Sequence, residues 1–163
     1  MKQTIACKRI LSLDNREQFQ KAYKHDGKLY VGCPYMVCVF NHSIADIPMH
    51  DDNYPFINFD SIIDRVKSCD NEVILPSAND IQQYIKEQKL KHNKYDRSRV
   101  LYDINDMCKV DAQYLFYMLS AMPDAKVYVC GRLTDRKNHK YYSTVYFEGV
   151  DCYGILCAIH RVD

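Results

Sequence analysis

Two stretches of this chain echo each other, and that echo constrains the fold more than any other feature. Leu13–Tyr23 followed by Asp26–Cys33 is shadowed by Val110–Ser120 followed by Asp124–Gly131, and Asp, aromatic, Lys, Tyr and Val fall in register once one residue is inserted. Each copy reads as a strand, a capping Asp, a helix of about three turns, a tight Asp-containing turn and a Lys-apolar-Tyr-Val strand leading into further strands. Two such units in one chain predict an α+β domain with a pseudo-two-fold axis, its paired helices lying on a continuous antiparallel sheet.

Runs of Tyr, Val, Ile and Cys supply the strands: Thr4 to Leu13, Lys28 to Cys33, Tyr35 to Phe40, Val100 to Ile104, Lys126 to Cys130, Tyr141 to Glu148 and Tyr153 to Arg161. Helices are expected at Asp14 to Tyr23, at Ser77 to Leu90, where Asp80 follows the serine by three residues, and at Asp111 to Met122. The last of these is apolar nearly all round, which predicts burial on more than one side. Between the copies, prolines 48, 55 and 76 mark loop boundaries, Ser61 to Val66 reads as a short apolar turn, and residues 77–99 carry six basic against three acidic side chains. The chain is read as one domain over 1–163: a first half at about 4–66, a helical and basic insertion at about 77–99, and a second half at about 100–163.

Composition narrows the function classes. With 22 basic and 21 acidic residues the net charge is +1, so any nucleic-acid contact must come from local patches. No apolar run approaches the roughly 20 residues that cross a bilayer, and no secretory signal opens the sequence, so a cytoplasmic, non-membrane protein is expected. Eight cysteines are present without a CxxC pair. Most sit in β-rich runs, where free cysteine acts as a small hydrophobe, so neither a disulfide nor a metal site is expected.

The second copy carries a resemblance. Lys109–Met122, then Lys126-Val127-Tyr128-Val129, and the terminal Gly154–Val162 resemble the C-terminal part of the bacterial sliding clamp, the beta subunit of DNA polymerase III. Tyr114-Leu115 match the last helix of that family, and Arg161 and Val162 stand where it ends in an arginine and an aliphatic residue. The resemblance implies a DNA-clamp-like domain of two βαβββ halves and a setting in DNA replication or its control, compact enough for a phage or mobile element. A ring of this size needs about six copies, hence a possible homo-oligomer.

Candidate contacts follow. Arg16, Lys21 and Lys24, Lys86 and Lys89 of the insertion, and Arg132, Arg136 and Lys137 of a basic hairpin loop are candidates for double-stranded DNA. A C-terminal groove for replication or repair proteins, implied by the resemblance, would use Ile155, Ile159, His160, Arg161 and Val162. No phosphate loop, nucleophile elbow or paired metal-binding histidine occurs, so the expectation is a non-enzymatic protein with no cofactor. The competing readings are a metal-dependent nuclease using Asp51 and Asp52, and a small interaction module with no nucleic-acid role.

Overall fold

The computed structural model describes residues 1–64, 66, 67, 69, 71–92, 98–106, 108–135 and 140–159, with the side chains of 131–143 left aside. Seven antiparallel strands form one sheet: β1 (Tyr23–His25), β2 (Lys28–Cys33), β3 (Met36–Phe40), β4 (Glu72–Val73), β7 (Lys126–Asp135), β8 (Lys140–Glu148) and β9 (Cys152–Cys157). Their spatial order is β1-β2-β3-β9-β8-β7-β4. A separate hairpin pairs β5 (Leu101–Asn105) with β6 (Cys108–Asp111). The helices are α1 (Gln3–Leu11), the four-residue α2 (Asp60–Ile63), α3 (Ala78–Lys91) and α4 (Ala112–Ala121).

Two helix-plus-meander units, α1-β1-β2-β3 and α4-β7-β8-β9, meet where β3 pairs antiparallel with β9, with Cys38 opposite Gly154. The meanders mirror each other in strand order across that junction. α1 packs on α4 against one face, and Gln3 Nε2 donates to the Ala121 carbonyl at 2.9 Å where the two helix ends meet. The expected architecture of paired helices on an antiparallel sheet is therefore present. The two βαβββ halves are not reproduced: among the described residues no strand precedes α1, and β6, which does precede α4, pairs with β5 outside the large sheet.

The first helix is also not where the echo put it. Residues 4–13, expected as a strand, are mostly α1, and 14–23, expected as a helix, hold a 3-10 turn at Glu17–Phe19 and the start of β1. Alternation along 4–13 would put Lys8 on one sheet face and Arg9 on the other. A helical turn instead buries Ala6, Cys7, Ile10 and Leu11 together and leaves both cations in water. Asp14 caps no helix, because its carboxylate accepts from the backbone N–H of Arg16 and from the Arg16 guanidinium, each at 2.9 Å, which closes a local turn. The tight turn that follows is as expected: Asp26 and Gly27 both take positive φ, the geometry of a two-residue hairpin.

The later helices start where their caps predict. Ser77 and Asp80 form a reciprocal capping box on α3. The Asp111 carboxylate accepts from the N–H groups of Gln113 (2.9 Å) and Tyr114 (3.3 Å) at the start of α4. Asp111→Ala is expected to lower stability by about 1 kcal/mol, read as a shifted urea midpoint with an unchanged slope. α4 is buried on several sides, touching α1, α3, β6 and the central strands β3 and β9.

Both faces of the sheet are covered. Toward the helices point Val31, Cys38, Gly154, Phe147 and Val129, with Cys38 Sγ 3.4 Å from Met118 Sδ of α4. The opposite face carries Tyr30, Val39, Tyr153, Ile155, Tyr146, Tyr128 and Cys130. Chain between Met49 and β4 crosses this second face as a strap, from an isolated bridge between Ala22 and Met49 beside β1 to β4 on the far edge. Cys69 of the strap is disulfide-bonded to Cys130 of β7. That corrects the expectation of no disulfide. Cys130 does sit in an apolar strand, but its side chain faces the strap, which brings in a partner 61 residues away. The other described cysteines are free.

Candidate nucleic-acid interface

The described candidates for DNA contact lie on different elements. Arg16, Lys21 and Lys24 are exposed near β1, at one edge of the sheet. Arg16 is engaged locally: it pairs with Asp14 at 2.9 Å, and its guanidinium stands 4.8 Å above the Phe19 ring. Its hydrogen bonds hold the Asp14 carboxyl below the usual range, so this cation is partly neutralised by its neighbour. Lys86 and Lys89 are exposed on α3, which packs on α4 through buried Ile81 and Ile85. Arg132 lies in β7, but its side chain is outside the described residues, as are Arg136 and Lys137 altogether.

Sequence reasoning missed a compact cationic element on the helical side. Lys2, at the N-terminal boundary of α1, and Lys8 and Arg9 within it are all exposed, and no acid accompanies them from Met1 to Leu11. The adjacent Lys8-Arg9 pair was the available signal, since it resists burial on either face of a strand. Lys86, Lys89 and Lys91 of α3 add exposed cations against Asp80 and Glu87 on the same helix, while Lys8 shares a surface cleft with Asp14 and Asp46. The last-turn cations also complement the negative C-terminal ends of α1 and α3, so their placement serves helix stability as well as any ligand.

The C-terminal groove finds little support in side-chain placement. Ile155 is buried between Val37 of β3 and Tyr146 of β8, on a covered face, so it is a core residue and presents nothing to a peptide. Ile159 is half-buried, and its N–H donates to the Lys109 carbonyl at 2.8 Å, tying the chain after β9 to β6. His160, Arg161 and Val162 lie outside the described residues.

The acidic pair does not gather metal-binding partners among the described residues. Asp51 and Asp52 are exposed in a turn closed by the Tyr54 N–H donating to the Asp51 carbonyl at 2.9 Å. Among the described residues no group of three or more His, Cys, Asp or Glu is placed to hold a metal ion. Burial pushes the thiol pKa of Cys7 to about 12 and of Cys108 to about 11, and raises that of Cys38 well above its ordinary value, so these are packing groups and poor nucleophiles. No described helix is long and apolar enough to cross a membrane.

Among the described residues a buried polar network lies under the strap. Tyr30, 1% exposed, donates its hydroxyl to Asp60 Oδ2 at 2.8 Å, Tyr153 donates to Asp60 Oδ1 at 3.3 Å, and Lys28 Nζ donates to the Tyr153 oxygen at 3.1 Å. Burial first, and the Asp60 bond second, raise the Tyr30 phenol far above its ordinary pKa, while the Tyr153 bond raises Lys28. Asp60 is thereby held by two tyrosines of the sheet. A cleft of about 390 Å³ opens beside this network, lined also by Ile63, Asp64, Lys67 and Tyr146.

Comparison with protein-family models, with curated proteins and with solved structures finds no match for this chain.

Proposed function

We propose that this is a non-enzymatic, sliding-clamp-like protein that acts in DNA replication or its control by binding duplex DNA and replication partners. The observation that carries the reading is the meeting of two helix-plus-meander units at β3 and β9, which sets α1 and α4 side by side on one face of an antiparallel sheet. Exposed cations on the helices support it, with α1 and its N-terminal boundary supplying Lys2, Lys8 and Arg9. α3 partly covers α4, so α1 and α3, rather than an α1–α4 pair, present the charge. Closed association of about six copies would turn those helices toward a central duplex, and a smaller assembly would display them to partners.

The test is retardation of a labelled duplex at two salt concentrations. The wild-type protein is expected to bind with a steep salt dependence, and Lys8→Glu/Arg9→Glu to weaken binding at least about tenfold at low salt while lowering the slope by roughly two phosphate contacts. Light scattering behind size exclusion reads the copy number in the same preparation. Absence of retardation at low salt would overturn the DNA reading and leave an interaction module.

A further inference from the structure

We propose that the chain from Tyr54 to Cys69 is a thiol-sensitive strap, latched by the Cys69–Cys130 disulfide over a tyrosine-lined sheet face, and that a dithiol reductant releases it. Three independent attachments hold it. Aromatic contacts anchor one end, with Phe56 edge-on to Tyr30 at 4.9 Å and Phe59 stacked on Tyr30 at 6.3 Å. Asp60 grips Tyr30 and Tyr153 in the middle. The disulfide fixes the other end to β7. Between the Asp60 network and Cys69 the described backbone keeps only turn hydrogen bonds beyond buried Ile63, from the N–H groups of Val66 and Lys67 to the Ile63 carbonyl and from Cys69 N–H to the Val66 carbonyl. The covalent bond is thus the attachment that governs this end, over Tyr128 and Tyr146, which lie opposite each other on β7 and β8.

The two sulfurs differ in access. Cys69 is half-buried and Cys130 is buried, so an incoming thiolate meets Cys69 first. Attack at Cys69 Sγ forms a mixed disulfide and breaks the Cys69–Cys130 bond, whose electron pair leaves on Cys130 Sγ and takes up a proton. The second thiol of the reductant then displaces Cys69 as a thiol and becomes a cyclic disulfide, so the protein gains two hydrogens and the reductant loses two. Cys130 Sγ lies 3.3 Å from the Val66 carbonyl oxygen, which can accept a weak bond from the new thiol. Reduction therefore loosens the strap without orphaning a buried group, and it leaves α1 and α4 on the other face undisturbed.

The experiment uses the full chain with and without dithiothreitol. Alkylation after denaturation without reductant is expected to label the six free cysteines, Cys7, Cys33, Cys38, Cys108, Cys152 and Cys157, and to label all eight after reduction. In hydrogen exchange on the folded protein, reduction should speed exchange over residues 61–69, and at Val129, whose N–H donates to the Asn71 carbonyl, by about tenfold or more, with α4 unchanged. Cys69→Ser should show the reduced pattern without reductant and ignore dithiothreitol. If that variant does not fold, the wild-type comparison decides alone. Labelling of eight cysteines before reduction, strap exchange indifferent to reduction, or equal opening of α4 would each overturn the proposal, the last because the bond would then be a staple of the whole fold.

Discussion

Gly154→Val is expected to cost about 3–5 kcal/mol and to leave little folded protein in a domain of ordinary stability. A Cβ at Gly154 would sit 2.4 Å from the Val37 carbonyl oxygen, 3.0 Å from the Met122 methyl and 3.2 Å from the Met118 methyl. Methionine side chains can swing aside. The carbonyl oxygen belongs to the strand paired with β9 and cannot move without breaking the junction between the two meanders. Overpacking of a site that cannot relax is costly for that reason. Urea unfolding followed by circular dichroism measures it, and a loss below about 1 kcal/mol would mean that the strands approach less closely than described.

Phe147→Ala should be nearly as severe, at about 3–5 kcal/mol, by the opposite mechanism. Phe147 is fully buried in β8, opposite Gly154 of β9 and Val127 of β7 on the helix-facing side. Its removal leaves a cavity between sheet and helices that the flanking strands cannot fill. Phe147→Leu restores most of the volume and should recover more than half of the loss. The pair of variants separates a packing cost from a general intolerance of substitution, and both are read as changes in the urea midpoint.

How far the residues announce this architecture varies along the chain. α3 and α4 were legible because Ser77, Asp80 and Asp111 are local signals, each acting within three residues. β2, β3, β5 and the core of β7 to β9 were legible from Tyr- and Val-rich runs. α1 was misread because its buried set, Ala6, Cys7, Ile10 and Leu11, is short and contains a residue type common in strands. The echo did not mark a shared structural unit: residues 12–22 separate α1 from β1, whereas only Met122 to Ala125 separate α4 from β7, so it set β2 against β7, while the mirrored strand order sets β2 against β8.

The functional surfaces were less legible for a physical reason. Exposed lysines obey no periodicity that distinguishes a ligand contact from a solvated face, so Lys86 and Lys89 were singled out while Lys8 and Arg9 were passed over inside a mistaken strand. Ile155 was offered to a peptide only through the resemblance, whereas its alternation along the last strand already fitted the buried core position it takes. The strap, and with it the Cys69–Cys130 bond, rests on Pro-punctuated chain crossing from one sheet edge to the other, a path no local pattern encodes.

Pairing Met36–Phe40 with Cys152–Leu156 also sets the timetable of synthesis. The first meander leaves the ribosome roughly a hundred residues ahead of the strand that must dock beside it, which at ordinary elongation speed is a wait of about 5–20 seconds. Throughout that interval β3 offers an open, apolar edge to other nascent chains. Yield in the cell should therefore depend on translation speed and chaperone supply more steeply than the stability of the finished domain would suggest.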